Sequence, residues 1–396
     1  MEKPAVIIRQ ANIDDKENLF KFYSKVYGEL GQYKYPLRWE WLYLNNPYLD
    51  HKRIPIWIAL INNKIVGHTG AMIVPCFIKG EYKLGGWSVD TIVTKEARGY
   101  GIGKRLQEAN QAFNPIFMSL SYSVINLKIK TKLGALASKE FNLYRKINRL
   151  STNLLFGSLK TKLIQSFGDF FGYSIWCILF YSGFLFLLKS LIQFYFKKKI
   201  TQKEDYSNLD FKPINGEFDE KATVLWNNIK NNVDFQVVRD AKYLNWKFVE
   251  QPLVDFKKFY IYDNNELQSI LVLRLSKHPE PKIGAISEII SRDYSVENIE
   301  KIISFAMDFF HKHQMETVMC LSSNSVLNEV MCSFGFIVTK TERMMAFFKN
   351  DEFSQREFTN ANINFTLGDH DLDQYPRART LTFFELIKIV LKKNDK

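Results

Sequence analysis

Arg98, Gly99, Tyr100, Gly101, Ile102 and Gly103 form a glycine-rich turn between a β-forming run, Trp87 to Thr94, and a helix-compatible segment that reaches Phe113. A strand, a glycine turn and a helix N-terminus together make an anion site. Unpaired backbone N–H groups point out of such a turn, and the helix dipole favours negative charge there. Gly101 and Gly103 carry no side chain to keep a phosphate off the backbone. Arg98 adds a planar, permanently charged donor, and Lys104 a second cation. These residues predict a pyrophosphate cradle.

The spacing decides which cradle. A Walker loop needs Lys followed by Ser or Thr, whereas Lys104 is followed by Arg105. The dinucleotide pattern G-x-G-x-x-G is also missing. What stands here is Val93-x4-Arg98-x2-Gly101-x-Gly103. This resembles the acyl-CoA motif of the GNAT superfamily of N-acyltransferases, V-x4-[RQ]-x2-G-x-[GA], at the strand-to-helix junction where that family has it.

The resemblance implies that Arg98 to Lys104 hold the CoA pyrophosphate. It implies that the backbone of Thr91, Ile92 and Val93 lines the pantetheine arm, because the fourth and fifth strands splay apart below the turn and leave N–H and C=O groups free. It also implies transfer of an acyl group, acetyl in the first instance, from CoA to an amine. A base or a water chain must then take the amine proton, and an acid must protonate the thiolate. Asp90, flanked by Val89 and Ile92, is the first candidate base, with an ion-paired structural acid as the bland reading. Glu96 reads as a solvent-facing loop residue, and His68 as a core histidine, with assistance to the base as its alternative role. The family's usual acid is a Tyr four residues before the glycine that ends the next helix. That glycine is Gly134 here and the position holds Lys130, leaving Ser121, Tyr122 or Ser123 as substitutes, with Tyr122 preferred.

The elements that must position these groups can be read in order. Val6 to Arg9 reads as a strand, and Asp14 or Asp15 as the cap of a helix through Val26. Ile56 to Ile61 and Lys64 to Val74 read as a hairpin around Asn62-Asn63. Ile116 to Leu120 reads as a fifth strand, Ser123 to Leu133 as a helix, and the stretch to Leu150 as a weakly patterned strand pair.

An internal repeat follows. Trp41-x-Tyr43-x3-Pro47 recurs as Trp246-x-Phe248-x3-Pro252. A hairpin turning at Asp263-Asn264-Asn265, a strand from Ile283 to Ile290, a helix from Val296 to His313, a strand from Thr317 to Leu321 and a helix ending at Phe334-Gly335-Phe336 complete the pattern. The turn in this half, SRDYSVEN, has no glycine, so no second CoA site is expected. The expected fold class is α/β with a mixed sheet, as two GNAT-like units in tandem. The divisions are 1–150 for the CoA-binding unit, 151–210 for a connecting segment, 211–350 for a degenerate unit and 351–396 for a tail.

Phe170 to Phe196 is nearly all apolar and is followed by Lys197-Lys198-Lys199. A transmembrane helix, a helix lying in the headgroup layer and a buried bridge between domains all fit its composition, with interfacial insertion favoured. Near the C-terminus, Asp369, Asp371 and Asp373 resemble the start of a calcium loop, but Gln374 and Thr380 hold the places of its glycine and bidentate glutamate, so no metal is expected. Leu381 to Leu391 is a possible second membrane contact.

A length of 396 residues fits two domains, and a net charge of +12 predicts attraction to anions. No nucleic-acid motif appears, so nucleic acid is not an expected partner. The four cysteines lack metal-site spacing and read as buried thiols of a cytoplasmic chain, with peripheral contact at the inner face of the cell membrane. The expected activity is acetyl-CoA-dependent N-acetylation of a primary amine, for example an amino sugar of a surface polysaccharide or lipid-linked glycan. A non-catalytic acyl-CoA-binding scaffold is the alternative.

Overall fold

The computed structural model describes residues 4–28, 31, 35–50, 53–120, 123–149, 152–187, 190, 205–276 and 282–371. Fourteen strands share one sheet: β1 (Ile7–Gln10), β2 (Ile56–Ile61), β3 (Lys64–Ile78), β4 (Glu81–Val93), β5 (Ile116–Ser119), β6 (Leu136–Ile147), β7 (Asp210–Pro213), β8 (Phe235–Val237), β9 (Asp255–Asp263), β10 (Glu266–Leu275), β11 (Ile283–Ser291), β12 (Thr317–Ser322), β13 (Ile337–Phe348) and β14 (Ile363–Asn364). The main path runs β1-β2-β3-β4-β5-β13-β6-β12-β11-β10-β9-β7, with β8 paired to the end of β3 and β14 to β8. The helices are α1 (Lys16–Tyr27), α2 (Leu37–Tyr43), α3 (Ile102–Phe113), α4 (Val124–Lys132), α5 (Thr152–Tyr181), α6 (Glu220–Ile229), α7 (Ala241–Phe248), α8 (Val296–Lys312), α9 (Ser325–Ser333) and α10 (Gln355–Asn360).

Local chemistry explains the hairpins. The β2–β3 turn is Asn62-Asn63 with φ of 49° and 59°, and the β9–β10 turn is Asn264-Asn265 with φ of 46° and 66°. Both central residues are left-handed, as two-residue hairpin loops require, and Asn tolerates that conformation. Side chains alternate across the strands. On β2, Ile56 and Ile58 pack with Leu19 and Phe22 of α1 and Trp39 and Trp41 of α2. Trp57 and Ala59 face the other way, onto Ile102 and Leu106 of α3.

Several expectations need correction. Asp15 makes no cap bond to α1. Instead Asn12 and Asp15 close a capping box around a 3-10 turn, while the Asp15 carboxylate takes two bonds from Arg9 at 2.6 and 2.7 Å. Residues 136–147 are one strand, not a pair. That strand lies between β13 and β12, both from the second half of the chain. In return β13 pairs with β5 of the first half, Met345 opposite Ser119 and Phe348 opposite Ile116. β6 thus lies between two strands of the second half and β13 between two of the first, so the sheet is continuous. Residues 351–371 do not trail away from the body either. Phe353, Phe358 and Phe365 are buried in the main core, and β14 pairs with β8.

The two aromatic repeats meet. The rings of Trp41 and Trp246 stack with centroids 4.7 Å apart and planes 16° from parallel. Trp41 Nε1 donates to the carbonyl of Trp246 at 2.9 Å, and Trp246 Nε1 to that of Trp41 at 3.4 Å. This reciprocity gives the junction of the halves a local two-fold character.

Candidate functional site

The site is built on β4. Its pairing with β5 covers only Gly85 to Trp87, opposite Ile116 to Met118. From Ser88 to Val93 that edge has no strand partner among the described residues, while the other edge stays paired with β3. The splay implied by the resemblance is therefore present. Its cause is visible one strand over, where β5 is short and ends at Ser119, which pairs with β13. Backbone N–H and C=O groups of Thr91 to Val93 on the open edge are placed to bond an extended ligand.

A β-bulge interrupts β4 here. His68 faces Ile92 and Gly70 faces Val89, so Asp90 and Thr91 together stand opposite Thr69. Asp90 has φ of 56°, an uncommon conformation for a non-glycine residue. Bulges of this kind re-aim backbone and side chains beside functional sites. The apolar surroundings expected for Asp90 are not what it meets. Its carboxylate accepts from Arg38 Nη1 at 2.5 Å, and Arg38 Nη2 donates to Asp371 at 3.0 Å. The triad is buried, so Arg38 holds together α2, the bulge and the C-terminal segment. Burial lowers the Arg38 pKa but the two carboxylates outweigh it, and the guanidinium stays charged.

At the end of β4 the chain makes a 3-10 turn over Lys95–Ala97 and enters the glycine turn. Gly99 has φ of 92° and Gly101 of 72°. Gly101 is the N-cap of α3 and offers no side-chain cap, so the first N–H groups of the helix are left for a ligand. A Cβ at Gly99 or Gly101 would meet nothing within 4 Å, and at Gly103 only the tip of Ile129. The cradle faces open space. Arg98, Gly99 and Gly101 are exposed, Tyr100 and Gly103 half-buried, and Ile102 anchors the turn in the core beneath. Lys104 is exposed and pairs with Glu108 one turn on, at 3.3 Å. Glu96 faces solvent, and His68 is buried among the rings of Phe22, Tyr23 and Tyr27.

The matching corner in the second half is filled from within. Ser295 caps α8 by accepting from Asn298 N at 3.3 Å. The Asp293 carboxylate accepts from Ser295 N at 2.8 Å and Ser295 Oγ at 2.6 Å. Side chains thus occupy the start of α8, whereas the start of α3 has none.

Lys130, the departure from the family pattern, lies against this site. It is buried on α4, and its Nζ donates to Gln107 Oε1 of α3 at 2.9 Å. Gln107 Nε2 donates to Thr91 Oγ1 at 2.8 Å, and Thr91 Oγ1 lies 2.7 Å from Thr69 Oγ1. A polar chain therefore runs from Lys130 to the open stretch of β4. Burial pushes the Lys130 pKa down to about 7. Gln107 and Arg38 were not singled out by sequence reasoning. The available signals were a buried amide one helical turn from Asn110 on α3, and an arginine inside the aromatic run LRWEWLY. Tyr122, preferred there as the acid, lies outside the described residues.

Asp369 and Asp371 turn inward. Asp369 accepts from Arg239 Nη2 at 2.7 Å, and Glu288 of β11 from Arg239 Nε at 3.0 Å. Burial pushes Glu288 up to about 7 and Asp369 upward, against the pull of Arg239. The carboxylates of Asp369 and Asp371, which resembled the start of a calcium loop, thus serve as internal counter-charge for two buried arginines.

No family model and no curated protein matches the sequence. Solved structures do. A GCN5-related N-acetyltransferase of Anabaena variabilis superposes with a TM-score of 0.55 at 12% identity, over 87% of this chain and 73% of its own. A probable N-acyltransferase of Enterococcus faecalis gives 0.55 at 11%, over 89% and 74%. The N-myristoyltransferase of Saccharomyces cerevisiae with bound myristoyl-CoA gives 0.51 at 10%, over 88% and 85%. The chain has the fold of the GNAT acyl-CoA N-acyltransferases.

Proposed function

We propose that the protein transfers an acyl group from acyl-CoA to a primary amine, with acetyl-CoA as the first choice of donor. The observation that carries this reading is the open edge of β4 running into an uncapped, glycine-lined helix N-terminus. That arrangement suits an extended pantetheine followed by a pyrophosphate.

In the proposed reaction the neutral amine attacks the thioester carbonyl, a C–N bond forms and the C–S bond breaks. A backbone N–H of the open edge polarises the carbonyl oxygen. Lys130 supplies the proton to the leaving thiolate, since a group titrating near 7 is well matched to donation at neutral pH. The amine's own proton leaves through water or through the Asp90 carboxylate, whose bond to Arg38 fixes its position. Tyr122 stays a second candidate acid.

For the acceptor we favour an amino sugar of a surface polysaccharide or a lipid-linked glycan. The support is the exposed apolar segment between the two halves. A non-catalytic acyl-CoA-binding role is the competing reading, favoured by the engagement of Asp90 with Arg38.

Calorimetric titration of acetyl-CoA against the full chain tests the site. Wild type should bind, and Gly101→Glu, which sets a carboxylate in the phosphate position, should not. Gly101→Asn, which can keep the left-handed φ of 72° but brings a side chain that caps the first N–H groups itself, should weaken binding without unfolding the turn. A wild type that binds neither acetyl-CoA nor longer acyl-CoA sinks the proposal. Binding without thiol release across an amine panel favours the non-catalytic reading.

A further inference from the structure

The apolar segment is not one long helix. Within Thr152–Tyr181, Gly168 has φ of 77° and ψ of 167°, which ends one helix and starts another. The two arms run back along each other. Phe156 meets Phe180 and Phe186 with ring centroids 5.7 and 5.2 Å apart. Lys160 Nζ lies 4.8 Å over Tyr173 and 5.0 Å over Trp176. At Gly172 a Cβ would fall 2.5 Å from the carbonyl of Leu163, so the arms touch backbone to backbone near the turn. Residues 152–181 form an antiparallel helical hairpin with its tip at Phe167–Phe171.

The hairpin leaves its aromatic tip uncovered. Phe167, Phe170 and Phe171 are 57%, 77% and 67% exposed, and Ile178 and Tyr181 farther along are exposed as well. The 18-residue window within Leu159–Tyr181 with mean hydropathy 1.3 is only 6% buried. A contiguous apolar surface of this kind on a folded chain marks an interaction site. Charge indicates its partner: Lys160 and Lys162 stand on the first arm against a single acid, Asp169 at the turn, and the sequence beyond the hairpin adds Lys189 and Lys197 to Lys199 with no further acid before residue 200. Aromatic side chains beside lysines match the boundary of an anionic bilayer, where rings enter the acyl region and lysines meet headgroups. Length argues against a span. At 1.5 Å per residue the arms reach roughly 20–24 Å, short of the ~30 Å hydrocarbon core. A hairpin also returns the chain to the side it left, as the continuous sheet formed by both halves requires.

We propose that residues 152–187 are a monotopic membrane anchor that sinks the Phe167–Phe171 tip into one leaflet of an anionic bilayer. The anchor is independent of the acyl-transfer reading.

The test is co-sedimentation of the purified full-length chain, freed of detergent, with preformed vesicles. One set is phosphatidylcholine alone and the other includes phosphatidylserine. Wild type should bind the anionic vesicles, more weakly the neutral ones, and remain open to protease on both sides of the hairpin. The triple variant Phe167→Ser, Phe170→Ser, Phe171→Ser should lose binding by about a hundredfold or more, given the transfer energy of three rings. A circular dichroism spectrum matching wild type confirms that the variant is folded, and acetyl-CoA binding is read separately. Failure of wild type to bind anionic vesicles overturns the anchor. So does protease protection of one flank, which would mean a span. A wild-type dimer that the triple variant dissociates, with no vesicle binding, would assign the face to a second copy instead.

Discussion

At the scale of single residues the chemistry turns on Lys130. Its folded-state pKa of about 7 lies below the ordinary 10.5 because burial disfavours the ammonium. The folded chain therefore binds fewer protons than the unfolded chain between those values, and stability rises with pH across the window. The difference integrates to something on the order of 4 kcal/mol. Lys130→Met should remove its share of this slope and leave that of Lys146, which burial lowers to about 8, so urea denaturation of both proteins at pH 7 and pH 10 reads a larger gain in wild type than in the variant. Activity carries the opposite sign. A proton donor must be protonated, so kcat of wild type should fall as pH rises through about 7. Lys130→Met should lose that limb together with roughly a hundredfold or more of kcat. An unchanged pH profile in the variant would remove Lys130 from the reaction. The sequence exposed the substitution at this position but not its surroundings. Helical spacing puts Gln107 on α3, yet nothing in it says that α4 crosses close enough for Lys130 to reach it. The same holds for Asp90, whose flanking residues are apolar while its actual partner, Arg38, lies 52 residues away.

At the scale of elements, what was legible in the sequence was whatever local chemistry encodes. The Asn-Asn turns declare their hairpins through left-handed φ, and Gly101 and Gly103 declare the open helix start. Asp293 and Ser295 show the contrary case, where side chains close the corner themselves. What was not legible is pairing across distance. β6 was read as a strand pair because LASKEFNLYRKI lacks clean alternation. The reason is its position: with β13 on one side and β12 on the other, Phe141 joins the main core and Tyr144 the second core, so both faces carry buried residues. Gly168, two residues ahead of the apolar run that begins at Phe170, was likewise passed over, though its φ of 77° divides the helix. The pairing order predicts hydrogen-exchange behaviour. Amides of β6 and β13, bonded on both edges in the middle of the sheet, should be among the slowest to exchange, and those of β1 and β7 at its ends among the fastest. Comparable protection of β6 and β1 would contradict the order.

At the scale of the whole molecule, strand exchange makes each half depend on the other. In a fragment ending at residue 150, β5 has lost β13 and β6 has lost both its neighbours. Trp41 has also lost Trp246 and its backbone acceptor, and Arg38 has lost Asp371. Two unpaired strand edges beside an opened core favour aggregation over an independent fold. The fragment 1–150 expressed alone should therefore be insoluble, or at best compact without cooperative unfolding. Co-expression with residues 205–396 should recover a soluble complex, because the contacts that close the sheet do not depend on a covalent link. Size-exclusion chromatography and thermal unfolding of the separate and combined fragments would read this directly. A soluble fragment 1–150 with a cooperative transition and full acetyl-CoA affinity would show that the exchange is dispensable. Failure of that fragment, with rescue in trans, would explain why a half without an open anion corner is retained beside one that has it. The second half completes the sheet on which the first half's site is built.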